Sequence, residues 1–139
     1  MKSLTSRTEI QIRFSEVDSI GFVWHGNYVH FFEDGREAFG TEFGLQYLSI
    51  YKNGFVTPIV HLEIDFKLPL MYGDSAIIET IYQDCDAAKL LFEYRIFRKS
   101  DNMLSVTGKT TQVFLDLQKQ LMLTMPPFFS EWKLKYGLV

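Results

Sequence analysis

DSIGFVWHGNYVHFFEDGREAFGTEF, residues 18–43, is the stretch whose reading decides the fold. It joins a loop, in which the carboxylate of Asp18 and the imidazole of His25 stand seven residues apart, to a segment with helical period. With Asn27 read as the N-cap, Tyr28, Phe31, Phe32, Gly35, Ala38, Phe39 and Phe43 fall three and four residues apart and form one apolar stripe. His30, Glu33, Asp34, Arg36, Glu37 and Thr41 take the opposite face, and Gly44 is placed to end the helix in the left-handed conformation. About 17 residues at ~1.5 Å each give a rod of ~25 Å, roughly the width of five strands spaced ~4.8 Å apart. One helix can therefore cover one face of a sheet.

Strands surround that helix. Residues Thr8 to Phe14 alternate, with Ile10, Ile12 and Phe14 on one side and Glu9, Gln11 and Arg13 on the other. A second, softer segment covers Gln46 to Tyr51, ended by Lys52-Asn-Gly54. From Val60 the alternation returns, with Val60, Leu62, Ile64, Phe66 and Leu68 opposite His61, Glu63, Asp65 and Lys67, and Pro69 and Gly73-Asp74 close it. Runs at Ala76–Tyr82, Leu90–Arg98 and Met103–Asp116 are separated by connections short enough to make antiparallel neighbours. The tail turns at Met125-Pro-Pro127 and ends in a short helix through Trp132. Strand, long helix, then four strands in a meander predicts an α+β fold. A lone helix leaves the other sheet face or an edge uncovered, so self-association is expected.

Composition narrows the class. A chain of 139 residues, 47% hydrophobic and 22% charged, suits one globular domain, 1–139. The opening Met-Lys-Ser-Leu-Thr-Ser-Arg lacks the apolar run of a secretory signal, and no segment approaches the ~20 apolar residues of a membrane span, which points to the cytoplasm. A net charge of −3 with dispersed basic residues argues against nucleic-acid binding. Cys85 is the sole cysteine and falls in a predicted turn, and the three histidines are spread along the chain, so no metal site is expected. Thirteen phenylalanines and seven tyrosines imply a large apolar core, an apolar pocket or a buried subunit interface.

An Asp in a loop after a strand most often serves as a turn residue, bonding nearby backbone N–H groups. His25 likewise has an ordinary reading, as a helix-entry imidazole bonding a carbonyl. Their company raises the functional reading. Backbone N–H groups around Trp24, His25 and Gly26 would point from the helix N-terminus without partners, as oxyanion donors do. A carboxylate beside such donors is what acyl transfer to water requires, with Asp18 attacking the carbonyl or taking a proton from water. A thiolate leaves readily, so a thioester suits this small set of groups.

The motif D-x-x-G-x-V-x-H-x-x-Y, here Asp18, Gly21, Val23, His25 and Tyr28, resembles the 4-hydroxybenzoyl-CoA thioesterase family of hotdog-fold proteins, most nearly its Tol-Pal-associated acyl-CoA thioesterase subgroup. Ile64-Asp-Phe66 with Pro69 and Gly73-Asp74, and Phe114-Leu-Asp116, extend the similarity over nearly the whole chain. The resemblance implies one long helix packed on a five-stranded antiparallel sheet, dimerising edge to edge into a continuous sheet, with the active site between subunits and tetramers common. It makes Asp18 the catalytic nucleophile or general base, His25 the subgroup's histidine, and the His25 backbone N–H the oxyanion donor. Two positions depart from it: Phe14 stands where the subgroup often has a tyrosine, and Met71 where relatives carry an arginine.

The sequence thus reads as an acyl-CoA thioesterase that uses no metal or redox cofactor. Its expected substrate is a thioester of CoA or of acyl carrier protein. Asp18 and His25 are the catalytic candidates, and Phe14, Trp24, Tyr28 and Ile59 are read as lining the substrate pocket. A hotdog hydratase or dehydratase, and a non-catalytic acyl-thioester-binding subunit, are the alternatives.

Overall fold

The computed structural model describes residues 4–138. Helix α1 spans Asn27–Phe43, as the apolar period predicts, and Gly44 ends it at φ 74°. The chain then turns back, Leu45 N–H donating to Gly40 O, into the short helix α2, Tyr47–Lys52. Strands β1 (Leu4–Gln11), β3 (Ile59–Phe66), β4 (Ser75–Gln83), β5 (Lys89–Arg98) and β6 (Met103–Val113) form one antiparallel sheet in the order β1-β4-β5-β6-β3. Two short strands, β2 (Phe55–Val56) and β7 (Leu115–Asp116), pair separately, and helix α3 (Pro127–Lys135) closes the chain.

Three strand readings are corrected. The first strand lies at Leu4–Gln11 and not Thr8–Phe14: Ile12 N–H leaves the ladder to donate to Asp74 O, and Phe14 opens a single 3-10 turn, 76% exposed. Only β4, β5 and β6 form the meander. β3 crosses the sheet to pair with β6, and β1 takes the place beside β4. The third correction concerns register. The β3 ladder shifts between Ile59 and His61, so Val60 is the extra residue of a bulge. Ile59, opposite buried Gln112, thereby shares a face with Leu62 and Ile64, which period-two alternation alone would deny it.

α1 lies on the sheet with little clearance. A Cβ at Gly35 would come within 2.4 Å of Thr80 Oγ1 and 2.7 Å of an Ile78 methyl. From the sheet side, a Cβ at Gly108 would meet the Phe32 ring at 2.4 Å and the Glu63 carbonyl oxygen at 3.0 Å. Phe32 itself stacks on Tyr94 at 4.5 Å between centroids. At the far end Phe39, Tyr82, Phe92, Phe129 and Trp132 form a contiguous aromatic cluster, with Trp132 Nε1 donating to Phe43 O at 2.7 Å. α3 is pinned further by buried Lys133, whose ammonium reaches Asp84 at 2.8 Å and the Cys85 carbonyl at 2.9 Å. The opposite sheet face carries charge pairs such as Arg7–Glu79 and Lys109–Glu93 and, among the described residues, no helix.

Gly108→Ala is expected to cost about 1–3 kcal/mol, because the added methyl is caught between a stacked ring and a strand carbonyl. Urea unfolding should show a lower midpoint at unchanged slope.

Candidate active site

The loop after β1 is a small hairpin. Val17 bridges Val23, Asp18 N–H donates to Phe22 O at 2.7 Å, and Trp24 N–H donates to Glu16 O at 3.0 Å. Gly21, at φ 87°, makes its tight end possible. The connection between β3 and β4 clasps it: Val23 N–H donates to Leu70 O at 2.8 Å, and Phe22 bridges Met71. Asn27 Nδ2 donates to Glu16 O at 2.8 Å, tying the helix start to the hairpin. That engagement removes Asn27 from the capping role; Gly26 is the N-cap, and no side chain caps the helix.

Asp18 is exposed at the tight end of the hairpin. Its Oδ1 accepts the N–H groups of Ile20 at 3.0 Å and Phe22 at 3.2 Å, which is the ordinary turn role. Those bonds, and not His25, orient the carboxylate, and Oδ2 has no hydrogen-bond partner among the described residues. Trp24 N–H is occupied by Glu16 O, contrary to expectation. The N–H groups of His25 and Gly26 have no partner among the described residues. They stand at the positive end of a 17-residue helix, where an anion is stabilised. The Trp24 indole lies against Gly26, where a Cβ would sit 2.2 Å from the ring, and its centroid is 5.0 Å from that of His25.

Beside the helix start a cleft of about 220 Å³ is lined by Val23, His25, Tyr28, Phe66, Lys67, Leu68 and Pro69. His25 and Tyr28 were expected at the site, and the structure brings them together here. Asp18 does not line this cleft in the single chain, nor do Phe14 and Trp24. Phe14 is turned outward, edge-on to Tyr72 at 5.6 Å, because β1 ends before it. Ile59 lines a second hollow farther along α1, with Phe32, Arg36, Tyr47 and Leu62. Tyr28 is buried, accepts the Leu70 N–H at 3.3 Å, and meets Phe66 edge-on at 5.5 Å. Phe66, Lys67, Leu68 and Pro69 were not read as site residues. Their alternation and the closing proline were visible, but the pairing of β3 with β6 beside the helix start was not.

Among the described residues no group of three or more His, Cys, Asp or Glu side chains is placed to hold a metal, and no helix is long and apolar enough to cross a membrane.

Comparison with known proteins agrees with this architecture. The model of the thioesterase-like superfamily matches residues 12–133. The Bacillus subtilis (strain 168) protein YneP, whose name gives it provisionally as an acyl-CoA thioesterase, is 30% identical over 94% of this chain and 94% of its own length. The Haemophilus influenzae acyl-CoA thioesterase YbgC is 25% identical over 79% of this chain and 82% of its own. A solved DHNA-CoA thioesterase from Staphylococcus aureus superposes with a TM-score of 0.85 at 25% identity, covering 96% of this chain and 89% of that one. A 4-hydroxybenzoyl CoA thioesterase variant in complex with 4-hydroxybenzoyl CoA has a TM-score of 0.79 at 21% identity, covering 92% and 97%, and shares the hotdog fold.

Burial raises the Tyr28 phenol above its ordinary value, and the same cause pushes Tyr94 up to about 12. A phenol raised in this way favours the folded state only while protonated. The contribution is complete below the unfolded value of ~10 and is lost as pH climbs through the raised folded values. Stability is therefore expected to fall between about pH 10 and 12, and Tyr28→Phe should flatten part of that fall. Thermal melts across this range, paired with the tyrosinate absorbance, test both.

Proposed function

Since this chain belongs to the thioesterase-like superfamily, we propose that it hydrolyses an acyl thioester with Asp18 as the acting carboxylate and the His25 and Gly26 amides as oxyanion donors. The activity is that of an acyl-CoA thioesterase, giving a carboxylic acid and free CoA, and not the water addition of a hydratase. The observation that carries the mechanistic reading is the pair of unpartnered N–H groups at the tip of α1, above a cleft with largely apolar walls. Asp18 adds a carboxylate fixed through one oxygen, with the other open to water or a carbonyl carbon.

Two routes are consistent with these groups. As a base, Asp18 takes a proton from water, hydroxide adds to the carbonyl carbon, and the oxyanion is held by the amides until the C–S bond breaks and the thiolate leaves. As a nucleophile, Asp18 forms a mixed anhydride with loss of the thiolate, and water then cleaves the anhydride. The two differ in whether a covalent acyl-enzyme forms. Neither needs a metal or redox cofactor. His25 and Lys67, at the cleft wall, would contact the acyl carbonyl region and the carrier. The carrier is CoA, with acyl carrier protein a second possibility.

A second copy of the chain completes this site. β3 is an edge strand with β6 on one side only, and its inward-facing Leu62 and Phe66 are 39% and 54% exposed. Edge-to-edge pairing along β3 would continue the sheet and roof the groove beside α1. Further assembly into a tetramer rests on the resemblance alone. The Tol-Pal-associated subgroup is carried by the Asp18–Tyr28 motif. We place the enzyme in the cytoplasm, with residues 1–139 acting as one domain.

Asp18→Asn should lower kcat on acyl-CoA by about 10³-fold or more with the circular dichroism melt unchanged, and an undiminished rate would remove Asp18 from the mechanism. Val60→Lys puts a charge on the exposed edge bulge. It should shift the protein toward monomer in light scattering and reduce turnover with it.

A further inference from the structure

Arg36 does not lie where its place in the helix period puts it. It is 1% exposed, and its guanidinium is held between the Tyr47 and Phe92 rings at 4.7 and 4.9 Å. Nε donates to Gln112 Oε1 at 3.3 Å and Nη1 to the Leu45 carbonyl at 3.0 Å. Nη2 is buried with no hydrogen-bond partner among the described residues, and no carboxylate pairs with the group. Burial draws its pKa downward. A guanidinium so desolvated calls for an oxygen at its open nitrogen.

The side chain contributes to the hollow that also holds Phe32, Glu33, Tyr47, Ile59 and Leu62. That hollow and the His25 cleft both lie between α1 and β3. The cleft touches Phe66 at the end of the strand and the hollow touches Ile59 and Leu62 at its start. From Asn27 to Arg36 the helix advances about 14 Å. Leu62 at the hollow and Phe66 at the cleft are both exposed side chains on the helix side of β3. The hollow admits about 10 Å³, room for one water-sized group beside the guanidinium.

We propose that the acyl tail runs along this groove from the helix tip and that Arg36 Nη2 donates to an oxygen on its distal part, making Arg36 a specificity-determining residue. Glu33 faces the same hollow and would repel a second carboxylate, so the oxygen is that of a hydroxyl or a carbonyl. The inference rests on the thioesterase reading and adds a substrate class to it: acyl thioesters bearing a neutral oxygen away from the thioester carbon. A site built around such a donor discriminates strongly against analogues that leave it unpaired.

The test uses matched pairs of acyl-CoAs, aliphatic and aromatic and of several lengths, each with and without a distal hydroxyl or oxo group, followed by thiol release. Wild type should favour the oxygenated member of at least one pair by tenfold or more in kcat/KM. Arg36→Met, and separately Arg36→Lys, should bring that ratio toward one. Equal rates for every pair in wild type, or a ratio unchanged in a folded Arg36→Met, overturns the role of Arg36 and leaves the thioesterase standing. Hydrolysis of no thioester in the panel overturns both. Should neither variant fold, the wild-type ratios alone decide.

Discussion

The close seating of α1 on the sheet is the constraint from which the rest follows. Gly35 lets the helix backbone approach Thr80 and Ile78, and Gly108 lets Phe32 lie over β6 and stack on Tyr94. With the helix this near, its axis is fixed along the sheet and its N-terminus is delivered to one defined place, beside the 17–23 hairpin. Interiors are packed densely enough that a helix lifted by one methyl would carry its whole N-terminal turn with it. The unpaired amides of His25 and Gly26 are therefore positioned by contacts more than a turn away from them.

Strand order then decides what those amides face. Because β3 pairs with β6 at the edge, and not with β4, the Phe66 end of β3 reaches the start of α1, and Leu70 to Tyr72 bond the hairpin. The same placement leaves β3 with a free edge and half-exposed apolar side chains on the helix side. A single copy buries its aromatic core at the α3 end thoroughly and the end at the start of α1 incompletely. That asymmetry is the physical argument under which a second subunit is proposed at the helix N-terminal end.

Electrostatics divides along the same axis. Exposed charge pairs occupy the uncovered sheet face, where water screens them and they add little. The buried charges are few and stand in particular places: Lys133 with Asp84 fastens α3, and Arg36 stands in the groove with aromatic rings and neutral acceptors in place of a carboxylate. A cation kept without an anion is costly to bury.

Local rules made much of this protein legible. The three-and-four spacing of Tyr28, Phe31, Phe32, Gly35 and Phe39 gave α1 its buried stripe, and Gly44 its end. Alternation gave four of the five sheet strands close to their true bounds. The Asp18–Tyr28 spacing carried the resemblance to the thioesterases, and the superfamily match agrees with it. Other features depended on which segments meet in space. Pairing of β3 with β6, the bulge at Val60 that turns Ile59 inward, the removal of Phe14 from the sheet and the burial of Arg36 each involve partners tens of residues away. Helical period put Arg36 among the solvated residues; the returning chain at Leu45 and the rings of Tyr47 and Phe92 enclosed it. The sequence by itself determined most of the elements and the chemical groups, since these follow from short-range geometry, while the cleft at the start of α1 and the hollow at Arg36 were decided by long-range strand pairing that no local pattern encodes.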